Sequence, residues 1–230
     1  MIPAARAARL IAPVLLLACL PAAAFAHDIS EANARFVASI DGPAPIPFLY
    51  LGAKHMVTGI DHVLFLVGVV FFLYRLRDVL IYVSMFTLGH SATLLLGVLM
   101  GWNVNAFLID AIIGLSVCYK AFENMGGFDR LPFRIDTRAA VFAFGLAHGL
   151  GLATKLMDVV VTDNGLLANL ISFNVGVELG QVMVLVVVVA LLNLWRATPT
   201  FRPGAFAANV ALMAAGFVLT GYQLAMWAQS

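Results

Sequence analysis

The segment His55-Met56-Val57-Thr58-Gly59-Ile60-Asp61-His62 places two histidines and an aspartate inside a run of residues apolar enough to cross a bilayer. Two further histidines, His90 and His148, and two further acids, Asp110 and Glu178, lie in other apolar segments. Ionisable side chains at membrane depth cost on the order of 2.5 to 3.5 kcal/mol each, so they persist mainly where they face a bundle interior and bind something. The sequence therefore predicts an ion site or an ion path.

The composition indicates a membrane protein. Hydrophobic residues make up 63% of the 230 residues and charged residues only 11%, far below the roughly 25% charged content of a soluble domain. The formal net charge is +1, and the basic residues are dispersed among loops, so no nucleic acid partner is expected. The lipid bilayer is the predicted partner of this chain.

The N-terminal region has the features of a secretory signal peptide over residues 1–26. Arg6 and Arg9 precede the apolar run Leu10–Leu20, and Ala24-Phe25-Ala26 is a small-x-small cleavage site. Cleavage would leave His27 at the mature N-terminus, where its imidazole and the α-amine together form a speculative chelate for a transition metal. Residues 27–47 are polar and proline-rich, which predicts a short external arm before a membrane domain over residues 48–230.

Six apolar segments follow, each close to the roughly 20 residues that a spanning helix needs. Their cores are 50–74, 79–100, 104–122, 139–157, 168–195 and 205–228. With the mature N-terminus exported, eight basic residues lie on the cytoplasmic side and three outside, as the positive-inside rule requires. We therefore predict an all-α polytopic protein of the bacterial inner membrane, with six transmembrane helices and both mature termini outside.

The ionisable residues have the chemistry of a metal site. A rise of about 1.5 Å per residue places His90, His148 and Glu178 near the membrane midplane. Imidazole and carboxylate together are ligands that suit zinc, copper, iron or nickel. The predicted metal ligands are His55, Asp61, His62, His90, His148 and Glu178. The predicted supporting polar residues are Thr87, Ser91, Asp110, Asn174 and Gln181. For the uncharged members of the second set, hydrogen bonding between helices is the favoured role.

The spacing of His55 and His62 leaves two arrangements open. On a regular helix their separation of two turns is about 10.5 Å, which is too far for one ion. Either the helix breaks near Gly59 and the histidines come together, or they are successive stations on a path; broken helices at membrane depth line cavities. Asp61 lies about 100° around the helix from His62, so we expect it to orient a histidine on another helix.

Four segments together resemble the HupE/UreJ family. They are the His-x5-Asp-His motif of residues 55–62, Phe86–Leu94, Ala147–Gly151 and Phe173–Gln181. The resemblance spans nearly the whole mature chain and looks closest to the second, less characterised branch. It implies a membrane protein tied to hydrogenase or urease maturation, with nickel or cobalt permease activity and partners from those maturation systems. It leaves the oligomeric state open, including a homo-oligomer.

The chain departs from the nickel-transporting branch at two positions. That branch carries Phe-His-Gly-x-Ala-His-Gly-x-Glu, whereas this sequence has Phe144 at the first histidine position and Gly151 at the glutamate position. His90 and Glu178 are the candidates to replace those ligands. Nickel is favoured by the resemblance, and cobalt, zinc and copper stay open.

Two other classes of function fit the same residues. One is an intramembrane metal-dependent hydrolase, which predicts one compact metal cluster with an open position for water instead of a polar bore. The other is a non-catalytic accessory subunit whose polar core serves assembly alone. Transport is favoured over an enzyme.

The topology can be tested with reporter fusions. A reporter that is active only after export should be active when fused to Ser230, because the basic asymmetry places the C-terminus outside. The same reporter fused after Gly127, in the largest predicted cytoplasmic loop, should be silent. A cytoplasm-specific reporter active at Ser230 would contradict the predicted topology.

Overall fold

The computed structural model describes residues 36–129, 131–132, 135–157 and 164–230. Seven α-helices can be followed in these ranges: α1 (Pro45–Thr58), α2 (Ile60–Val70), α3 (Leu76–Leu99), α4 (Ala106–Asn124), α5 (Thr137–Met157), α6 (Leu166–Arg196) and α7 (Phe201–Trp227). The helical class predicted from the sequence is confirmed for this part of the chain. The predicted signal peptide and His27 lie outside the described residues.

Several of these helices can span a membrane. Among the described residues, α3, α5, α6 and α7 are each long and apolar enough to do so. The pair α1 and α2 also qualifies together, bent by 64° at the break between them. Helix α4 coincides with the third predicted segment, but it carries Asp110, Lys120 and Glu123. The result is an all-helical architecture with four to five candidate spans, and a count of six stays a prediction.

The helices pack mainly as the pairs α3 with α5, α1 with α6, and α4 with α7. The crossing of α1 and α6 is made by Gly52 and Gly176, where an added Cβ would lie 2.0 Å from a backbone carbonyl oxygen of the opposite helix. Between α3 and α5, a Cβ added at Gly89 or Gly145 would likewise lie within 2.4 Å of a backbone carbonyl oxygen of the opposite helix. Small residues that let backbones approach closely are the usual means of helix association in membranes.

Partly buried ion pairs lie near both ends of α4. The Lys155 ammonium of α5 lies 2.6 Å from the Asp110 carboxylate near the start of α4. Near the other end, the Glu123 carboxylate pairs with Lys120 and accepts a hydrogen bond from Thr137, the first residue of α5. These contacts hold α4 and α5 side by side along their length.

The end of α2 is held by Arg196, the last residue of α6. Its guanidinium donates hydrogen bonds of 2.7 Å to the carbonyl oxygens of Val70 and Phe71 and lies 4.5 Å from the centroid of the Tyr74 ring. A cation at a helix C-terminus interacts favourably with the helix dipole. The short helix α2 is thereby anchored at the end opposite its break.

The close crossing of α1 and α6 can be tested by adding one methyl group at Gly176. Gly176→Ala should lower the free energy of unfolding by about 1–3 kcal/mol, since its Cβ would lie 2.0 Å from the Leu49 carbonyl oxygen. Gly221→Ala is the matched control, because a Cβ there meets nothing within 4 Å. Thermal denaturation of both variants in detergent measures the effect. Equal melting temperatures would show that α1 and α6 do not cross this closely.

Candidate metal centre

The candidate centre begins at the break between α1 and α2. Gly59 has an extended backbone, with φ −71° and ψ 96°, and its N–H donates a 2.8 Å hydrogen bond to the His55 carbonyl. A Cβ on Gly59 would lie 3.0 Å from Nδ1 of His62. The break brings the ring centroids of His55 and His62 to 5.1 Å, about half their separation on a regular helix. Of the two arrangements left open by the sequence, the structure has the broken helix.

The core of the site is formed by Asp61, His62 and His148. One ligand atom from each lies within 4.8 Å of the others, and the three residues are 2%, 2% and 0% exposed. Ligand nitrogens lie about 2.0–2.1 Å from a bound zinc ion, so two ligand atoms of one ion are separated by up to about 4 Å. Small side-chain rotations would therefore let these three groups share one divalent ion.

The hydrogen bonds of the two histidines define which nitrogen faces the site. Nδ1 of His148 lies 2.8 Å from the Phe144 carbonyl oxygen, and a carbonyl only accepts, so Nδ1 carries the proton and the lone pair that a metal would use is on Nε2. Nδ1 of His62 lies 3.2 Å from a carboxylate oxygen of Asp61. From helical spacing we expected Asp61 to orient a histidine on another helix, whereas this contact of Asp61 is with the adjacent His62. At the first turn of α2, adjacent to the break, its carboxylate meets its own neighbour.

The rings of the other three membrane histidines surround that of His62. The centroid of its ring lies 4.8 Å from that of His148, 5.1 Å from that of His55 and 6.0 Å from that of His90. His90 is 1% exposed, and its Nε2 makes no hydrogen bond within the described part of the chain. The four histidines predicted to lie in the membrane thus come from α1, α2, α3 and α5 and gather around one point.

Glu178 is not brought to this cluster. It is an exposed residue of α6, whereas Asn174 and Gln181 turn toward α3 and hydrogen-bond to Ser91 and Thr87. The helical period places Asn174 and Gln181 about 40–60° around α6 from Glu178, both on the same side. Depth, helical spacing and the departure from the nickel-transporting branch suggested Glu178 as a ligand, but the rotation of α6 directs its side chain outward. Asp110 also lies apart from the three-residue core, paired with Lys155.

An aromatic layer adjoins the histidines, formed by Phe65, Phe86 and Phe144. The ring centroid of His148 lies 5.3 Å from that of Phe65 and 5.0 Å from that of Phe86, and Phe65 contacts Phe144. Each phenylalanine precedes or follows a histidine of its own helix by three or four residues, which places both on one face. That spacing was the signal that the sequence reasoning missed. All three lie toward the end that the topology predicts to be cytoplasmic.

Comparison with known proteins supports the resemblance noted from the motifs. A family model described as HupE / UreJ protein matches residues 31–230, which include the whole histidine cluster. Neither the curated proteins nor the solved structures give a match. The matched region covers most of the sequence and all seven helices, and the chain therefore belongs to the HupE/UreJ family.

Proposed function

We propose that this protein is a permease, or a binding facilitator, for a divalent transition-metal ion. The observation that carries the proposal is the buried group of Asp61, His62 and His148, with its ligand atoms within 4.8 Å. Neutral imidazole and carboxylate are donors that suit nickel, cobalt, zinc and copper. Family membership favours nickel or cobalt as the transported ion, with His55 and His90 as additional ligands next to His62.

The broken helix supports transport. Secondary transporters commonly bind their ions near the bilayer midplane at discontinuous helices, whose unwound backbone lines the site. Here the break at Gly59 lies between His55 and His62, in the middle of the candidate centre. In this proposal the ion is cargo, held by groups from several helices that can move relative to one another.

The topology proposed for this function places six helices in the bacterial inner membrane, after removal of residues 1–26. Both mature termini then lie outside. The ion pair of Asp110 and Lys155 faces the exterior, and that of Lys120 and Glu123 faces the cytoplasm. The proposal that this protein has partners among metalloenzyme-maturation proteins rests on family membership alone.

A second candidate function is an intramembrane metal-dependent hydrolase. The compactness of the cluster favours it, because the phenylalanine layer next to the histidines replaces the polar bore that a simple ion path would show. A metal held there would act as a Lewis acid in a water-poor site. Purified protein that binds one equivalent of metal but moves none into vesicles would favour this candidate.

The metal site is tested by His62→Ala and His148→Ala. Each should abolish metal binding and uptake while the protein stays in the membrane, because each removes one of the three converging ligands. The control is Asn209→Ala. This variant removes a buried polar side chain of α7, which accepts a hydrogen bond from Asn124 at the end of α4. Elemental analysis of purified protein, with matched uptake assays for nickel, cobalt, zinc and copper, measures the effect. Unchanged metal stoichiometry in both histidine variants would contradict the site.

The role of the break is tested by Gly59→Ala. The added Cβ would lie 2.9 Å from the His55 carbonyl oxygen and 3.0 Å from Nδ1 of His62. Displacing a ligand or the groups that orient it should weaken metal affinity by about 10- to 100-fold. Gly221→Ala, in open space on α7, should bind metal like the wild type. Wild-type affinity in Gly59→Ala would show that the break does not shape the site.

A further inference from the structure

The ion pair of Asp110 and Lys155 is largely removed from the protein surface. The carboxylate side chain is 5% exposed and the ammonium side chain 15%, with 2.6 Å between Oδ2 and Nζ. Replacing such a buried pair by apolar residues is often neutral or stabilising, because the cost of desolvating two charges offsets their attraction. A structural clamp alone is therefore a weak explanation for placing these two charges in a membrane domain.

The position of Asp110 connects it to the candidate metal centre. A Cβ on Gly151 would lie 3.6 Å from Oδ1 of Asp110, an ordinary van der Waals distance, so this carboxylate lies beside α5 at the level of Gly151. Gly151 follows His148 by three residues, which places the two on neighbouring parts of one helix face, one turn apart. Lys155 lies one further turn along the same helix. Along α5, the order is His148, the Asp110 carboxylate and the Lys155 ammonium.

The two side chains differ in how easily they can move. Asp110 extends from α4 near its start and is almost fully enclosed. Lys155 has a flexible four-carbon stem, and its ammonium is strongly hydrated in water. Its side chain is 15% exposed, so the ammonium lies nearer the protein surface than the Asp110 carboxylate, which is 5% exposed.

We propose that Asp110 is a binding station for a divalent cation on its way to the histidine cluster, and that Lys155 is a tethered cation which occupies this station when no ion is present. The inference rests on the proposed function. A divalent ion and the ammonium compete for one carboxylate, so arrival of the ion displaces Lys155. Return of Lys155 to the carboxylate then releases the ion, which the histidines can bind next.

The protein contains a matched control for this proposal. Lys120 and Glu123 form a second, partly buried pair on α4, which joins the same two helices through Thr137. Lys120 is ten residues from Asp110 along α4, a distance of about 15 Å. The layer of Phe65, Phe86 and Phe144 lies on that side of the histidines.

The first test compares Lys155→Met with Lys120→Met in purified full-length protein, with binding of Ni²⁺, Co²⁺ and Zn²⁺ measured by calorimetry. Lys155→Met should bind the divalent ion at least about fivefold more tightly, because a competing positive charge is removed close to the site. Lys120→Met should bind within about twofold of the wild type, at a distance where the interaction is weaker. Equal affinities in the two variants would overturn the proposal, whatever their melting temperatures.

The second test removes both charges of the station. Lys155→Met alone leaves the Asp110 carboxylate, which is 5% exposed, without its ion-pair partner, and this can prevent folding; the double variant Asp110→Asn/Lys155→Met avoids this. It should keep the metal stoichiometry of the wild type but need about tenfold more ion for half-maximal uptake, since the attraction of the carboxylate is lost. Wild-type half-saturation would overturn the proposal. Wild-type protein that binds no divalent metal would instead refute the proposed function itself.

Discussion

The break in the helical backbone at Gly59 is the constraint on which the candidate centre depends. A bilayer core supplies no water to satisfy freed backbone groups, so a helix can break there only where the surrounding protein compensates. Here the Gly59 N–H still bonds to the His55 carbonyl, and Arg196 caps the far end of α2. The break turns a separation of two helical turns into contact between His55 and His62, and it also places Asp61 against His62.

Close packing of glycine-bearing helices then adds the remaining histidines. A Cβ on Gly149 would lie 2.1 Å from the carbonyl oxygen of His90, so α3 and α5 approach as closely as two backbones can. His90 and His148 are carried on this crossing, and both surround His62. The site therefore depends on backbone packing as much as on ligand chemistry. For this reason a single methyl group added at Gly59 or at Gly149 should disturb it.

The charges of the domain are arranged around this centre. Each end of α4 carries an acid paired with a lysine, and an aromatic layer separates the histidines from the Glu123 end. Electrostatic interactions strengthen where water is excluded, so a cation entering the cluster would be held more strongly than in an open channel. The same low dielectric makes the flexible Lys155 an effective competitor for Asp110.

The sequence by itself determined the helical membrane class, the approximate positions of the helices, the family and the four membrane histidines as candidate ligands. These follow from composition, segment length and motif, which need no knowledge of neighbours. Only the tertiary structure decided that the helix breaks at Gly59, that Glu178 points outward, that Asp110 pairs with Lys155 and that three phenylalanines adjoin the site. Periodicity shows which residues of one helix share a face. The rotation of each helix about its axis is set by the helices packed against it, and a single sequence does not contain that rotation explicitly.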